Sequence, residues 1–222
     1  MKIGTEEHKE LFCQSFMDSY LKYEPETLPW PNLDSDTLAL MRSIPFWGEA
    51  LFTEKNAGVM VSAFAETITD PMIKEAIALQ GREETRHGKM IEYLINHYQL
   101  EVKERPPEPI GKNIEKDFIS FGYDECLDSF FAFGLFEIAR QSGLFPETFF
   151  TIFDPILDEE ARHIVFFVNW IAYLQINRGQ GAGILRAVNS LWNYGGALMH
   201  LVDMVKGGEE TTSDNFTFTG AN

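Results

Sequence analysis

The chain has 222 residues, enough for one domain with a full hydrophobic core and no need of disulfide or metal staples. With 18 basic residues against 34 acidic ones the net charge is −16, which argues against nucleic acid and anionic membrane surfaces, since both reward clustered lysine and arginine. No run approaches about eighteen uninterrupted apolar residues and Met1 to Glu10 is polar and charged, so the expectation is a cytoplasmic protein with no membrane span and no secretory signal. The two cysteines, Cys13 and Cys126, form no Cys-x-x-Cys pair; a thiolate metal site is not expected, and both read as buried reduced thiols.

In chain order, hydrophobic periodicity predicts a first helix over about Thr5 to Lys22 and a loop through Pro25, Pro29 and Pro31. A short helix follows over about Ser35 to Arg42. A long helix runs from about Pro45 to Thr67 and stops at Asp70-Pro71, where the aspartate caps and the proline opens the next helix, which reaches about Tyr98. Arg105 to Gly111 is a proline-rich crossover and the clearest break in the chain. Beyond it lie a helix over about Phe118 to Gln141, a turn at Ser142 to Phe145, and a helix over about Pro146 to Ile176, with Pro155 a kink or an alternative start. A glycine-rich turn leads to a last amphipathic helix, about Ile184 to Val205, whose apolar face is Leu191, Tyr194, Leu198, Leu201 and Val205. The expectation is an all-α domain over 1–206, with two antiparallel helix pairs as a core bundle over 45–176 and a disordered tail over 207–222.

The chemistry resides in a doubled motif. Glu84-Thr85-Arg86-His87 and Glu160-Ala161-Arg162-His163 are each preceded by a second glutamate, Glu83 and Glu159, and each lies mid-helix. In an α-helix a three-residue step turns about 300° and rises about 4.5 Å, so each Glu and its His project from one face. Those faces are otherwise apolar: Ile73, Ile77, Gln80, Glu84, His87, Ile91 and Leu94 in one, and Ile156, Glu160, His163, Ile164, Phe167 and Ile171 in the other. A carboxylate on a buried stripe is costly unless it is paired or bound to a cation, and two such stripes suggest one shared cation site. A single Glu-x-x-His is more often a solvated pair; the repetition is what makes the metal reading the stronger one.

A two-metal site of this kind needs a carboxylate from the partner of each motif helix. Glu54 lies about as far before the Asp70-Pro71 turn as Glu84 lies after it, and Glu49 and Glu66 are worse matched in height. In the second pair the same argument favours Glu125, with Asp128 close by. Glu137 competes because it sits in the most apolar run, Phe130 to Ile138, where a free carboxylate is expensive.

From Pro45 to Ile176 the doubled Glu-x-x-His, with an acidic residue upstream of each, resembles the ferritin-like di-iron carboxylate superfamily, the pattern described for those proteins generally. The resemblance implies Glu54 and Glu125 as terminal ligands, Glu84 and Glu160 as bridging ligands, and His87 and His163 as nitrogen ligands. These six residues would hold two iron ions, with manganese or a mixed pair as the alternative. Glu83 and Glu159 would then orient the histidine of the opposite motif, and Arg86 and Arg162 would either balance the acidic layer or lie exposed on the helix surface. The implied activity is that of a non-haem oxidoreductase activating dioxygen or peroxide. The expected form is an oxidase or oxygenase of a small organic substrate, served by an external electron donor. The alternative is ferroxidase, iron-handling or peroxide-scavenging activity with no organic substrate.

An apolar cavity lined by Phe130, Phe131, Phe133, Phe136, Phe166, Phe167 and Trp170 is the expected substrate pocket, against the plainer reading that these residues are core. Tyr93, Tyr123 and Tyr173 read as packing residues, the four tryptophans as core or interface anchors, and His8, His97 and His200 as residues outside the site. The last helix is expected to cover the bundle or a second copy in a homodimer.

Overall fold

The computed structural model describes residues 1–103, 105–180, 191–199 and 202. These residues form an all-helical bundle without a strand among them. Its helices are α1 (Glu6–Asp18), α2 (Ser35–Ser43), α3 (Trp47–Thr67), α4 (Pro71–His97), α5 (Ile114–Ser142) and α6 (Glu147–Asn177), with a 3-10 turn at Pro25–Thr27. Residues 191–199 are helical as well. The predicted tail over 207–222, the domain boundary at 206, and His200, Leu201 and Val205 of the predicted last helix lie outside the described residues.

Local chemistry accounts for several helix ends. The Asp70 carboxylate accepts from the Met72 and Ile73 amides at 3.0 and 3.1 Å, and Pro71 occupies the first turn of α4, where its missing N–H costs nothing. Asp34 and Asn113 cap α2 and α5 in the same way. Gly143, at φ +67°, closes α5 in the left-handed region. α1 stops at Asp18 rather than near Lys22, because the Ser19 hydroxyl turns back onto the Ser15 and Phe16 carbonyls. α6 runs unbroken through Pro155, so the alternative start there is not used. Phe150, Ile152 and Phe153 before the proline, and Glu159 and Glu160 after it, are all buried, which holds the two sides in one helix.

Named contacts give the register. Glu66 meets Lys74, Ser62 lies against Gly81, Gly58 against Thr85 and Lys55 against Glu92, so α3 and α4 run antiparallel. Arg140 meets Asp154, Phe136 packs on Phe150 and Phe118 on Trp170, so α5 and α6 do the same. The pairs meet where Phe64 stacks on Phe118 with ring centroids 4.4 Å apart. α1 lies against α4 and α6 through the Lys9–Asp70 ion pair and the Phe12–Phe166 contact.

Two apolar clusters result. One gathers Phe12, Phe64, Ile77, Phe118, Phe166 and Trp170; the other gathers Met41, Met90, Leu94, Phe149, Phe150 and Ile152. In α4 and α6 alike, the Glu-Glu-x-x-His segment lies between the stretch that feeds one cluster and the stretch that feeds the other. The charged layer is thus closed above and below by packed hydrocarbon.

Several expectations are corrected. The run Phe130 to Ile138 is not core: Phe130 is 77% and Ile138 67% exposed, because that face of α5 turns away from α6. Phe136 belongs beside the second cluster, while Phe166, Phe167 and Trp170 are buried in the first. On the helix 191–199, Leu191, Trp192 and Leu198 are exposed, and the packing residues are Tyr194 and Ala197. Cys13 is buried and Cys126 half-buried, both as free thiols. No helix among the described residues is long and apolar enough to cross a membrane.

Candidate metal centre

The six residues expected at the centre come together. One donor atom from each of Glu54, Glu84, His87 and Glu160 lies within 4.8 Å of the others, and the same holds for Glu84, Glu125 and His163. The His87 and His163 rings face each other across the layer with centroids 5.8 Å apart. His87 Nδ1 lies 2.9 Å from Glu160 and 3.7 Å from both Glu54 and Glu84. His163 Nδ1 lies 3.1 Å from Glu84 and 3.5 Å from Glu160. Each histidine therefore faces a carboxylate from the opposite motif as well as its own.

Of the three candidates for the fourth carboxylate, Glu125 is at the centre, where Ser129 donates to it at 3.3 Å. Glu137 is exposed and takes a hydrogen bond from Gln141, so the apolar run around it is not a buried environment. Asp128 is half-buried and belongs to neither donor cluster.

The outer side of each ring is fixed across the bundle. His87 Nε2 pairs with Glu159 at 2.8 Å and His163 Nε2 with Glu83 at 2.9 Å, each carboxylate being fully buried. Arg86 donates to Glu159 and Arg162 to Glu83, so the arginines balance the acidic layer and are not free surface groups. With Nε2 donating to these carboxylates, each Nδ1 is turned inward, where a cation that displaces its proton would meet the lone pair. The buried atoms His87 Nδ1, His163 Nδ1 and Glu160 Oε2 have no hydrogen-bond partner. Buried polar atoms without partners are rare, and here they converge on one point among four glutamates. That donor set, rich in oxygen with one imidazole nitrogen per cluster, can bind a metal ion, and the orphaned Nδ1 atoms fit one.

The electrostatics agree. Burial raises Glu125 well above the usual carboxylate range, with the Glu160 and Glu84 charges adding to it. Burial likewise pushes Glu54 up to about 7, against the pull of His87. Burial alone would lower the two imidazolium pKa values. The hydrogen bond from the outer nitrogen of His87 to Glu159, and the Glu84 charge beside His163, outweigh it and hold both well above their ordinary value. Against burial, the two histidines hold Glu84 and Glu160 below the usual carboxylate range, so the layer keeps its protons on Glu54, Glu125 and the imidazoles unless a cation takes their place.

Tyr23, Tyr20 and Gln80 complete the surroundings. Tyr23 donates to Glu159 at 2.8 Å, Tyr20 accepts from Arg86 at 3.1 Å, and the Gln80 amide donates to Glu84 at 3.3 Å. Gln80 was visible on the apolar stripe of α4. Tyr23 stands in a loop far from either motif, and nothing local in the sequence marks it. Tyr93, Tyr123 and Tyr173 pack on Trp30, Phe167 and His8 or Phe12, away from the metal-ligand set. His8 is buried and hydrogen-bonds Asn169.

No protein-family model matches the chain, and no curated protein or solved structure is significantly similar to it.

Proposed function

We propose that this chain is a ferritin-like di-iron carboxylate oxidoreductase, with Glu54, Glu84, His87, Glu125, Glu160 and His163 as the ligands of two iron ions. Manganese or a mixed pair is the alternative loading. The observation that carries the reading is the convergence of two orphaned imidazole nitrogens and four glutamates in a layer sealed between two apolar clusters. Held there, a pair of such ions would supply two electrons at once to dioxygen or peroxide. The chain's own residues orient and insulate: Glu83 and Glu159 hold the ring N–H groups, and Arg86 and Arg162 offset the outer carboxylates. The apolar clusters keep bulk water from the layer above and below.

Oxidation of a small organic substrate requires an apolar cavity beside the ions, and the residues expected to line one lie elsewhere, on the surface in the case of Phe130 and in packed cores in the case of Phe166 and Trp170. That observation favours the second reading, in which iron or peroxide is itself the substrate: ferroxidase, iron handling or peroxide scavenging. An external electron donor and a homodimeric assembly belong to the same proposal. The apolar residues Phe130, Phe131 and Ile138 exposed on α5 support the dimer, which light scattering tests.

The deciding experiment is elemental analysis of the purified protein beside His87→Ala and His163→Ala. About two irons per chain, lost in the variants, followed by rapid dioxygen consumption on adding ferrous ion without organic substrate, is the expected result. Equal metal content in parent and variants would refute the site. Dioxygen consumption that depends on an organic co-substrate would return the first reading.

A further inference from the structure

The two halves of the centre differ on their outer side. Glu83 is held by two donors, Arg162 Nη2 to Oε1 and His163 Nε2 to Oε2, each at 2.9 Å. Glu159 has the corresponding pair, Arg86 and His87, and also a third donor. The Tyr23 hydroxyl reaches Oε2 at 2.8 Å, the same oxygen that takes the His87 Nε2 proton. The Tyr23 ring lies against the Arg86 guanidinium, whose central carbon is 4.2 Å from the ring centroid. Tyr20 accepts from Arg86 as well. On the other side, the N-terminal contacts go to Arg162, not to the carboxylate: Ser19 at 3.3 Å and the Phe16 carbonyl at 3.4 Å.

We infer that Tyr23 is a positioning residue: through Glu159 it fixes the His87 ring and makes the His87 half the tighter of two unequal metal sites. This rests on the two-metal reading above. Glu159 is fully buried, so its carboxylate cannot turn away from His87 without breaking a hydrogen bond to Tyr23 that no water replaces. A ring already aimed at the ion loses less freedom on binding it, and partners of this kind are worth about 10–100-fold in metal affinity. Tyr23 lies outside the helices, in the segment between α1 and the 3-10 turn, so the N-terminal segment helps set the affinity of a site whose ligands all lie on α3 to α6.

The test is an anaerobic titration of the metal-free full-length chain with Co(II), followed by visible absorption and by the paramagnetically shifted imidazole N–H resonances. The variants are Tyr23→Phe, which keeps the ring on Arg86, and Ser19→Ala, which removes the N-terminal side-chain contact of the other half. In the parent two binding steps of different affinity are expected. Tyr23→Phe should weaken the tighter step about tenfold, move one of the two N–H resonances and leave the weaker step in place, with an unchanged circular dichroism spectrum. Ser19→Ala should leave the tighter step as it is. Two unchanged steps in Tyr23→Phe, or an equal loss in both, would overturn the inference while leaving the two-metal reading standing. A parent that binds no Co(II) would overturn both.

Discussion

Along α3 and α4 the backbones approach so closely that a Cβ on Gly81 would lie 2.9 Å from the Ser62 nitrogen, and one on Gly58 3.0 Å from that of Thr85. Along α5, a Cβ on Gly134 would meet nothing within 4 Å, and Phe130 and Ile138 face outward. Both helix pairs carry the same Glu-Glu-x-x-His, yet one presents Glu54 from a tightly fitted pair and the other presents Glu125 from a lightly covered helix. Close packing of helices depends on small residues at the contact: Gly58 and Gly81 bring backbone against backbone in the first pair, whereas in the second Gly122 makes room for the Phe167 ring. A shared motif thus fixes which atoms meet, while the packing around it fixes how firmly they are held.

The contrast can be broken most severely at the seam. Phe64 stacks on Phe118 and meets Trp170 edge-on, tying the two pairs together. Phe64→Ala should cost about 4 kcal/mol in urea unfolding, and a loss below about 1 kcal/mol would mean that the pairs do not depend on each other through this contact.

The next effect separates the pairs directly. Gly81→Ala should cost about 2 kcal/mol, because the new methyl meets the Ser62 backbone nitrogen and Cα, which cannot swing aside as its hydroxyl can. If Gly81→Ala were neutral, the close fit of α3 to α4 would be refuted.

A third, smaller effect concerns the anchoring of α4 to α1. Burial acts to raise the Asp70 pKa, but Lys9 and the Ile73 and Met72 amides outweigh it and hold the carboxyl below its usual value near 3.8. A depressed pKa gives stability that is present above the unfolded value and lost as pH falls through the folded one. Asp70→Asn, which keeps a capping oxygen, should therefore cost about 1.5 kcal/mol at neutral pH. The gap between variant and parent should close as the pH drops below 3.8. A gap independent of pH would assign the loss to the cap instead of the charge.

The smallest effect has the opposite sign. Gly134→Ala on α5 should stabilise by about 0.5–1 kcal/mol, since alanine is the better helix residue and nothing stands in its way. Destabilisation would mean that this face of α5 is covered in solution.

Much of this was legible in the sequence because it is local. Asp70-Pro71 marks the start of α4 through capping chemistry, and a three-residue spacing puts Glu84 with His87, and Glu160 with His163, on one helix face. Matching heights across a turn led to Glu54 and, less surely, to Glu125. Burial was harder. Phe130 and Ile138 look like core because they are apolar, but which face of α5 meets α6 is decided by Phe118, Gly122 and Tyr123 packing on Phe167 and Trp170. Tyr23 could not be found at all, since its role exists only where a loop crosses α4 and α6.

The sequence by itself determined the helices, the Asp70 cap and the Glu–His pair that each motif helix presents, because these follow from backbone geometry over a few residues. Only the tertiary structure decided that Glu125 and not Glu137 joins the centre, and that Tyr23 braces one half of it. Those pairings join residues far apart in the chain, and their energy comes from desolvated contacts that no local pattern encodes.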